Sequence, residues 1–197
     1  MKKNIVAILV LVLAALAAFA ASADRFLGAK GSVVRVEGTS TLHAWKMEGA
    51  AIQGQITAPT PDNWNAPAKA VVTIPVTSIK SEHAKMDKLM AEALKAKSNP
   101  DIRFEMLSAT PKKATAEAFV LETQGKLTIA GVTRDVTLDV QGARNPDGTW
   151  TLVGQAPIKM TQYGIKPPTA MMNTIKTGDD VKVTFRWVVE KAAERTQ

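Results

Sequence analysis

Beyond its N-terminal segment, most of this sequence alternates apolar and polar residues with a period of two, and one segment departs from that period. The clearest alternation lies in Asp180–Glu190, where Val181, Phe185 and Val189 fall on the face opposite to Lys182. Successive side chains of a β-strand point to opposite faces of a sheet, so this pattern predicts strands with one apolar face. Such strands are typical of antiparallel sheets that cover a core on one side.

The departing segment is Glu82–Lys97, which we predict to be an amphipathic helix with Ser81 as its N-cap. Its apolar residues recur three and four positions apart, as on one face of a helix. That face comprises Met86, Leu89, Met90, Ala93 and Leu94. Asn99 precedes Pro100, and this pair ends the helix because the residue before proline avoids the α region. The helix must lay its apolar face against the sheet, and the end of a closed sheet offers that place.

We predict eight strands in total. Their ranges are Ser32–Trp45 (one strand bent at Gly38), Ala51–Thr57, Val71–Val76, Ile102–Leu107, Lys113–Ile129, Val132–Val140, Thr149–Met160 and Asp180–Glu190. Eight amphipathic strands can form a sandwich or a closed barrel. A barrel of this size is just wide enough to be filled by side chains or to hold one small ligand. The connection Thr161–Asp179 is long for a compact domain, and such loops tend to act as lids or binding loops.

The N-terminal segment carries the marks of a cleavable signal peptide. Lys2 and Lys3 precede an apolar run over Ile5–Ala20, which is followed by the small residues Ala21–Ala23. The run is shorter than the roughly 20 residues that a membrane-spanning helix needs. We therefore expect a signal peptide over residues 1–23 and a single mature domain over 24–197. The protein is then expected in the periplasm, or secreted if there is no outer membrane. An uncleaved membrane anchor is the alternative.

Composition excludes some classes of protein. The sequence has no cysteine, so no disulfide supports the fold and no lipoprotein anchor can form. Two histidines and no cysteine argue against a dedicated zinc or copper site. Without Lys2 and Lys3, the 25 basic residues fall to 23 against 18 acidic ones, a net charge of +5. This balance is compatible with transient contact with anionic lipid headgroups, although a solvated surface also explains it. We expect no nucleic-acid partner, and the residues leave the oligomeric state open, including a homodimer.

The sequence contains no motif of a known catalytic site. It lacks the G-x-S-x-G elbow, the P-loop, the H-E-x-x-H zinc motif and the dinucleotide fingerprint. We therefore do not expect an enzyme. A cryptic hydrolase, with catalytic groups assembled only in space, is the less favoured alternative.

Several residues are candidates for contact with a ligand. His43 and Trp45 can form a polar handle near a barrel mouth, or they can pack on the sheet with their polar atoms bonded to nearby protein groups. Met86 and Met90 can line a site for a flexible ligand, because methionine adapts to irregular spaces, or they can belong to an ordinary core.

Four stretches of this sequence resemble the YceI-like proteins, which are periplasmic, lipocalin-like barrels described as polyisoprenoid-binding. The stretches are GTSTLHAW at 38–45, VTIPVTSIKS through IRFEM at 72–106, GKLTIAGVTRDVTLDV at 125–140, and KMTQYGIKPP with IKTGDDVKVTF at 159–185. GTSTLHAW stands where the best-known members carry a histidine-glycine segment, which indicates a separate subgroup. The resemblance implies an all-β fold, an eight-stranded antiparallel barrel with one amphipathic helix inserted between strands 3 and 4.

The resemblance further implies a ligand with a long apolar chain, such as a polyisoprenoid, a quinone-like lipid or a fatty amide. We expect no cofactor, although a polyisoprenoid or quinone-like lipid can be bound, and we expect the protein to sequester or transport its lipid ligand. The predicted ligand-binding residues are His43, Trp45, Met86, Leu89, Met90, Leu94, Phe104, Ile129, Tyr163, Met171 and Phe185. The residues alone leave open whether the interior is empty or filled by its own side chains. A filled barrel would suit a role in protein interaction or stress protection.

Overall fold

The computed structural model describes residues 24–58, 69–172 and 174–193, so the predicted signal peptide lies outside the described residues. The strands in chain order are β1 (Asp24–Gly28), β2 (Val33–Ser40), β3 (Ala44–Gly49), β4 (Gln53–Ala58), β5 (Lys69–Pro75), β6 (Ile79–Lys80), β7 (Asp101–Ala114), β8 (Ala118–Ile129), β9 (Val132–Arg144), β10 (Trp150–Lys159), β11 (Thr169–Ala170) and β12 (Ile175–Lys191). One α-helix, α1 (Ala84–Ala93), lies between β6 and β7. Short 3-10 turns cover Val76–Ser78 and Met160–Tyr163.

The strands close into an antiparallel barrel. Eight of them pair around a ring in the order β1, β4, β5, β7, β8, β9, β10, β12, and β12 pairs back to β1. The early half of β12 pairs with β2, which pairs with β3, which pairs with β6. Each of the first three walls of the barrel therefore consists of two consecutive strands: β1 with β2, β3 with β4, and β5 with β6. The other five walls are β7, β8, β9, β10 and β12, so the barrel has eight walls. This confirms the predicted eight-stranded antiparallel barrel with its helix between the third and fourth walls.

The prediction of one bent strand over Ser32–Trp45 is wrong. The chain reverses between Ser40 and Ala44, and β2 pairs with β3 as a hairpin. The Ser40 hydroxyl accepts the N–H groups of Leu42 and His43 and donates to the carbonyl of His43 at 2.8 Å. This side-chain bonding stabilises a tight turn without a glycine or proline to mark it.

The prediction of one strand over Lys113–Ile129 is also wrong. The chain turns after Ala114, where the Thr115 hydroxyl accepts the N–H groups of Glu117 and Ala118. Strand β7 therefore extends to Ala114, and β8 begins at Ala118 and pairs with it. The turn resembles the one after Ser40, since again a hydroxyl supplies the bonds that the sequence pattern does not reveal.

The helix is shorter than predicted. Its N-cap is His83, not Ser81, because Ser81 directs its hydroxyl to the Asp87 carboxylate at 2.8 Å and to the His83 carbonyl. At its other end Lys95 has a φ of 54°. A positive φ is incompatible with continuing a right-handed helix. Strand β1, with its buried Phe26, is an element that the alternation does not predict.

Most of the core lies at the end of the barrel where β12 finishes. Phe26, Phe119, Trp150, Trp187 and Val189 are each 3 % exposed or less, and they belong to one cluster. The predicted inward face of β12 is present, since Val181, Trp187 and Val189 are buried. We call this the closed end and the end carrying α1 the open end.

Candidate functional site

The barrel interior contains an apolar cavity of about 190 Å³, which we call the inner cavity. Its lining comes from the inward faces of the strands. Among the residues that the structure describes, Thr123 is the one residue of that lining with a hydroxyl, and none of the lining side chains is charged. An interior of this kind can solvate a hydrocarbon chain and offers almost nothing to a charged ligand.

The inner cavity stays open because its large aromatic rings lie flat on the wall. A Cβ added at Gly154 would stand 2.6 Å from the ring of Phe185, so that ring occupies the space above the glycine on the neighbouring strand. The same arrangement recurs at three further inward glycines. Two of these pairs, Gly125 with Phe104 and Gly142 with Phe119, lie at the inner cavity, and the third, Gly38 with Trp45, lies at the open end. Because each glycine lacks a side chain, its aromatic neighbour does not have to project into the lumen.

A second cavity of about 360 Å³ lies at the open end, and we call it the outer cavity. Its walls come from α1, from the β2–β3 hairpin and from residues between the end of β10 and the start of β12. Six residues line both cavities, so the two meet at this ring. They are Val36, Ile79, Ile102, Ile129, Ile158 and Val183. The volume of the outer cavity falls within the usual range of small-molecule sites.

Helix α1 covers the outer cavity and is itself not part of the buried core. None of its residues is buried. The predicted face is half-buried and turned to the cavity, since Met86, Leu89, Met90 and Leu94 all line it. Near the start of the helix, Asp87 accepts the backbone N–H and the hydroxyl of Ser81. These two bonds, helped by Lys80, hold the pKa of Asp87 below its usual value. The N-terminal end of α1 is thus held in place by the hydrogen bonds of Asp87 with Ser81 and by its ion pair with Lys80.

His43 and Trp45 lie at the mouth, where both line the outer cavity. The indole of Trp45 donates to the carbonyl of Thr39 at 3.0 Å. The Nδ1 of His43 lies 2.7 Å from the carbonyl of its neighbour Ala44. A carbonyl can only accept, so Nδ1 carries the proton, and the Nε2 of a neutral His43 is then the acceptor. Both rings are oriented by backbone carbonyls; Trp45 is half-buried, whereas His43 is exposed.

The structure brings nine of the eleven predicted binding residues to the two cavities. Phe104 and Phe185 line the inner cavity, and Ile129 lines both. Tyr163 and Met171 line neither. Tyr163 is 2 % exposed within a second core cluster at the open end, and burial raises the pKa of its phenol. Met171 is 68 % exposed. A ligand contact for any of the eleven stays a prediction.

Sequence reasoning missed several residues that line the junction and the mouth. Val36, Ile79, Ile102 and Ile158 belong to the junction of the two cavities, and Leu42 lies at the mouth. The alternation could have found Val36, Ile102 and Ile158, because each occupies an inward position of a predicted strand. It could not have found Ile79, because the 3-10 turn Val76–Ser78 separates that residue from the alternation of β5. Leu42 could not be found, because it lies in a turn where the alternation predicts a strand.

One buried polar group at the closed end lacks a partner. Among the described residues, the indole N–H of Trp187 is the one buried side-chain nitrogen or oxygen without a hydrogen bond. Trp187 also lines the inner cavity. A buried donor of this kind costs about 1–3 kcal/mol of stability.

Metal-binding and membrane-spanning features are absent from the described part of the chain. Across residues 24–58, 69–172 and 174–193, no three side chains of the metal-binding types converge to hold an ion. In the same ranges, no helix combines the length and apolar character needed to cross a membrane.

The fold has counterparts among solved structures. BcnA from Burkholderia cenocepacia is 22 % identical with a TM-score of 0.65, and the match covers 80 % of this chain and 95 % of that one. A polyisoprenoid binding domain from Saccharophagus degradans is 15 % identical with a TM-score of 0.64, covering 85 % and 98 %. A YCEI protein from Campylobacter jejuni is 24 % identical with a TM-score of 0.57, covering 75 % and 85 %. At these identities the likeness concerns the fold.

Sequence comparison assigns the family. No curated protein matches this sequence. The family model for the YceI-like domain matches residues 27–189, which include the helix and part or all of every wall of the barrel. The chain therefore belongs to the YceI-like domain family.

Proposed function

We propose that this protein binds the apolar chain of an amphiphilic lipid inside its barrel and sequesters or transports it. The ligand classes are those expected from the sequence: a polyisoprenoid, a quinone-like lipid or a fatty amide. The observation that carries the proposal is the apolar inner cavity that meets a larger outer cavity beneath α1. The structural relative from Saccharophagus degradans, described as a polyisoprenoid binding domain, supports the same ligand class.

Energetics favour recognition of the chain over recognition of the headgroup. Each methylene removed from water contributes about 0.8 kcal/mol, whereas a single hydrogen bond contributes about 1 kcal/mol. The described lining of the inner cavity contains no charged side chain, and the outer cavity is mainly apolar, with His43, His83 and Lys85 at its rim. A chain threaded from the mouth would leave its polar end near these three residues. Affinity should therefore rise with chain length until the cavities are filled.

The proposal includes export. The sequence of residues 1–23 supports a cleaved signal peptide, and residues 24–197 then form one domain that acts in the periplasm, or outside the cell if there is no outer membrane. Sequencing the N-terminus of the exported protein tests this directly. We expect Asp24 as the first residue, and a soluble protein that retains Met1 would contradict cleavage.

The binding proposal is tested by extraction and by rebinding. Organic extraction of the protein, followed by mass spectrometry, should release a lipid with a long apolar chain. The delipidated protein should then bind polyprenyl alcohols with an affinity that increases with the number of isoprene units. Affinity that does not depend on chain length would contradict recognition by the cavity.

A pair of variants locates the binding site. Ala156 lines the inner cavity beside Val183, so Ala156→Phe should fill the lumen and remove the advantage of longer chains. Ala143→Phe places the same ring on the outer surface of β9, where residue 143 is exposed, and serves as the control. If both variants bind long chains like the parent, the ligand does not enter the inner cavity.

A further inference from the structure

Exposed apolar side chains are concentrated at the mouth of the barrel. The large hydrophobic residues exposed in the described part of the chain are Leu42, Leu107, Val153, Met171 and Met172. Leu42 lies in the β2–β3 turn, and Met171 and Met172 lie in the turn between β11 and β12. Leu107 and Val153 lie singly on barrel strands, and isolated exposed residues of that kind are ordinary.

The two turns are neighbours held together by hydrogen bonds. The backbone N–H of Thr41 donates to the carbonyl of Lys176 at 2.9 Å, and the N–H of Lys176 donates to the Thr41 hydroxyl at 3.1 Å. The Thr41 hydroxyl also donates to the carbonyl of Thr174. Leu42 therefore stands next to the turn that carries Met171 and Met172, and we call these three exposed side chains on the two adjoining turns the mouth tip.

The mouth tip holds its methionines outward. Met171 and Met172 both have a positive φ, 51° and 55°. Residues other than glycine, asparagine and aspartate seldom adopt that conformation. Met172 is fully exposed and Met171 is 68 % exposed, so neither side chain gains burial from this conformation. An apolar group held in water at a cavity mouth is typical of a surface that meets another apolar phase.

Unpaired cations flank the mouth tip. Lys176 follows the second turn directly, Lys166 lies in the connection before β11, and Lys85 lies on the rim of the outer cavity. Among the described residues none of these three lysines forms an ion pair, in contrast to Lys80 and Lys159, which pair with Asp87 and Asp180. Apolar tips bordered by free lysines fit the interface of an anionic bilayer, where headgroups meet the acyl region.

We propose that the mouth tip docks on an anionic lipid bilayer and places the outer cavity against the membrane, so that a lipid chain can pass between them. This inference rests on the proposed function and names where the ligand is collected or delivered. A second copy of the chain is a less suitable partner for the mouth tip than a bilayer. Three side chains on two turns offer far less than the roughly 800 Å² per partner of a stable interface, and a symmetric contact would bring the lysines of both copies together.

Vesicle binding tests the docking. Protein expressed from the full chain is mixed with vesicles of phosphatidylcholine, with or without phosphatidylglycerol, and the bound fraction is measured by co-sedimentation. We expect binding to the anionic vesicles only, and we expect added salt to weaken it because exposed charges are screened. Equal binding to both kinds of vesicle, or to neither, would overturn the proposal.

Variants outside the cavities identify the surface. Met172→Asp should abolish binding to anionic vesicles, whereas Leu107→Asp, a matched change at an exposed leucine on β7, should leave it unchanged. Lys166→Gln and Lys176→Gln should each lower the binding constant about fivefold, and Lys30→Gln, at the closed end, should not. Equal effects of Met172→Asp and Leu107→Asp would overturn the assignment of the mouth tip.

Failure of docking can be told from failure of lipid binding. None of Met172, Lys166 and Lys176 lines the inner or the outer cavity, so these variants should bind short polyprenyl alcohols in solution as the parent does. If the parent protein binds polyprenyl alcohols but does not bind anionic vesicles, the docking surface is refuted and the proposed function stands. A different result would identify a second copy of the chain as the occupant of the mouth tip. In that case the parent sediments as a dimer, Met172→Asp dissociates the dimer, and the parent binds no vesicles. Docking on a bilayer would then be refuted.

Discussion

The two ends of this barrel are built in opposite ways. At the closed end, strands β1, β8, β10 and β12 contribute Phe26, Phe119, Trp150 and Val189, each nearly without exposure. At the open end, α1 covers a cavity with side chains that are only half-buried, and no residue of the helix is buried. The first region holds the larger cluster of buried side chains, while the second combines a smaller buried cluster with half-buried apolar side chains that line the outer cavity.

This difference suggests that one end of the barrel mainly provides stability and the other mainly retains the ligand. Stability should come mainly from the closed end, because burial of apolar surface is the dominant favourable term in folding. Retention of a ligand should depend mainly on the open end, because that end separates the lumen from water. Substitutions at one end therefore test whether the other end responds.

The largest effect on stability is expected at the closed end. Val189→Asp places a carboxylate at a position with no exposure, which should cost several kcal/mol and lower the melting temperature strongly. Thr184→Asp is the matched control, since residue 184 lies on the outer face of the same strand opposite Arg35. Thermal melting of both variants gives the comparison. Similar melting temperatures would contradict the assignment of the closed end as the main core.

The next largest effect is expected on ligand affinity, from a substitution in helix α1. Met90→Asp introduces a charge on the half-buried face of α1, so water should reach the outer cavity and ligand affinity should fall at least about tenfold. The loss of stability of the delipidated protein should be smaller than that of Val189→Asp. Lys88→Asp changes the exposed face of the same helix and should retain the ligand.

Melting of the delipidated and the ligand-loaded forms separates two roles for the helix. A bound ligand stabilises only through its affinity for the folded state, so a cover variant should lose that added stability. If Met90→Asp lowers the melting temperature of both forms equally, α1 is ordinary core and the division between the two ends is wrong.

A moderate effect on stability and on the binding of long chains is expected from a substitution that narrows the inner cavity. Gly154→Ala adds a Cβ 2.6 Å from the ring of Phe185 and should push that ring off the wall into the inner cavity. Overpacking of this kind costs about 1–3 kcal/mol, and the narrowed lumen should bind long chains less well. Adding Phe185→Leu to Gly154→Ala should restore binding, because the smaller side chain frees the lumen. Binding curves of the single and the double variant test this, and a single variant that binds like the parent would contradict the role of the glycine.

The smallest effect concerns the tyrosine that anchors the open end. Tyr163 is the one tyrosine of the sequence, and desolvation raises the pKa of its phenol above the ordinary value, with Arg134 acting in the opposite direction. The neutral phenol is favoured in the folded state, so its stabilisation is present below the ordinary tyrosine pKa and is lost as the pH rises towards the folded pKa. Ultraviolet titration of tyrosinate in the folded protein should show a midpoint above that of the unfolded protein. Equal midpoints would show that the phenol is solvated.

Local pattern predicted the barrel walls well where side chains alternate along an uninterrupted strand. The inward positions of β12 and the apolar face of α1 are examples, because a period of two or of 3.6 follows from backbone geometry alone. The pattern failed at Ser40–Ala44 and at Thr115–Glu117. There the chain reverses through hydroxyl-to-backbone hydrogen bonds, and neither turn carries the glycine or proline that usually marks a turn.

The candidate site divides in the same way. The sequence by itself determined which faces are apolar, and hence that Phe104, Phe185 and the methionines of α1 would share an interior. Only the tertiary structure decided that this interior is open. The reason is the lateral pairing of strands, which sets an aromatic ring above a glycine that is distant in sequence, as Phe185 lies above Gly154. Register between strands is a property of the closed barrel, and alternation along one strand does not contain it.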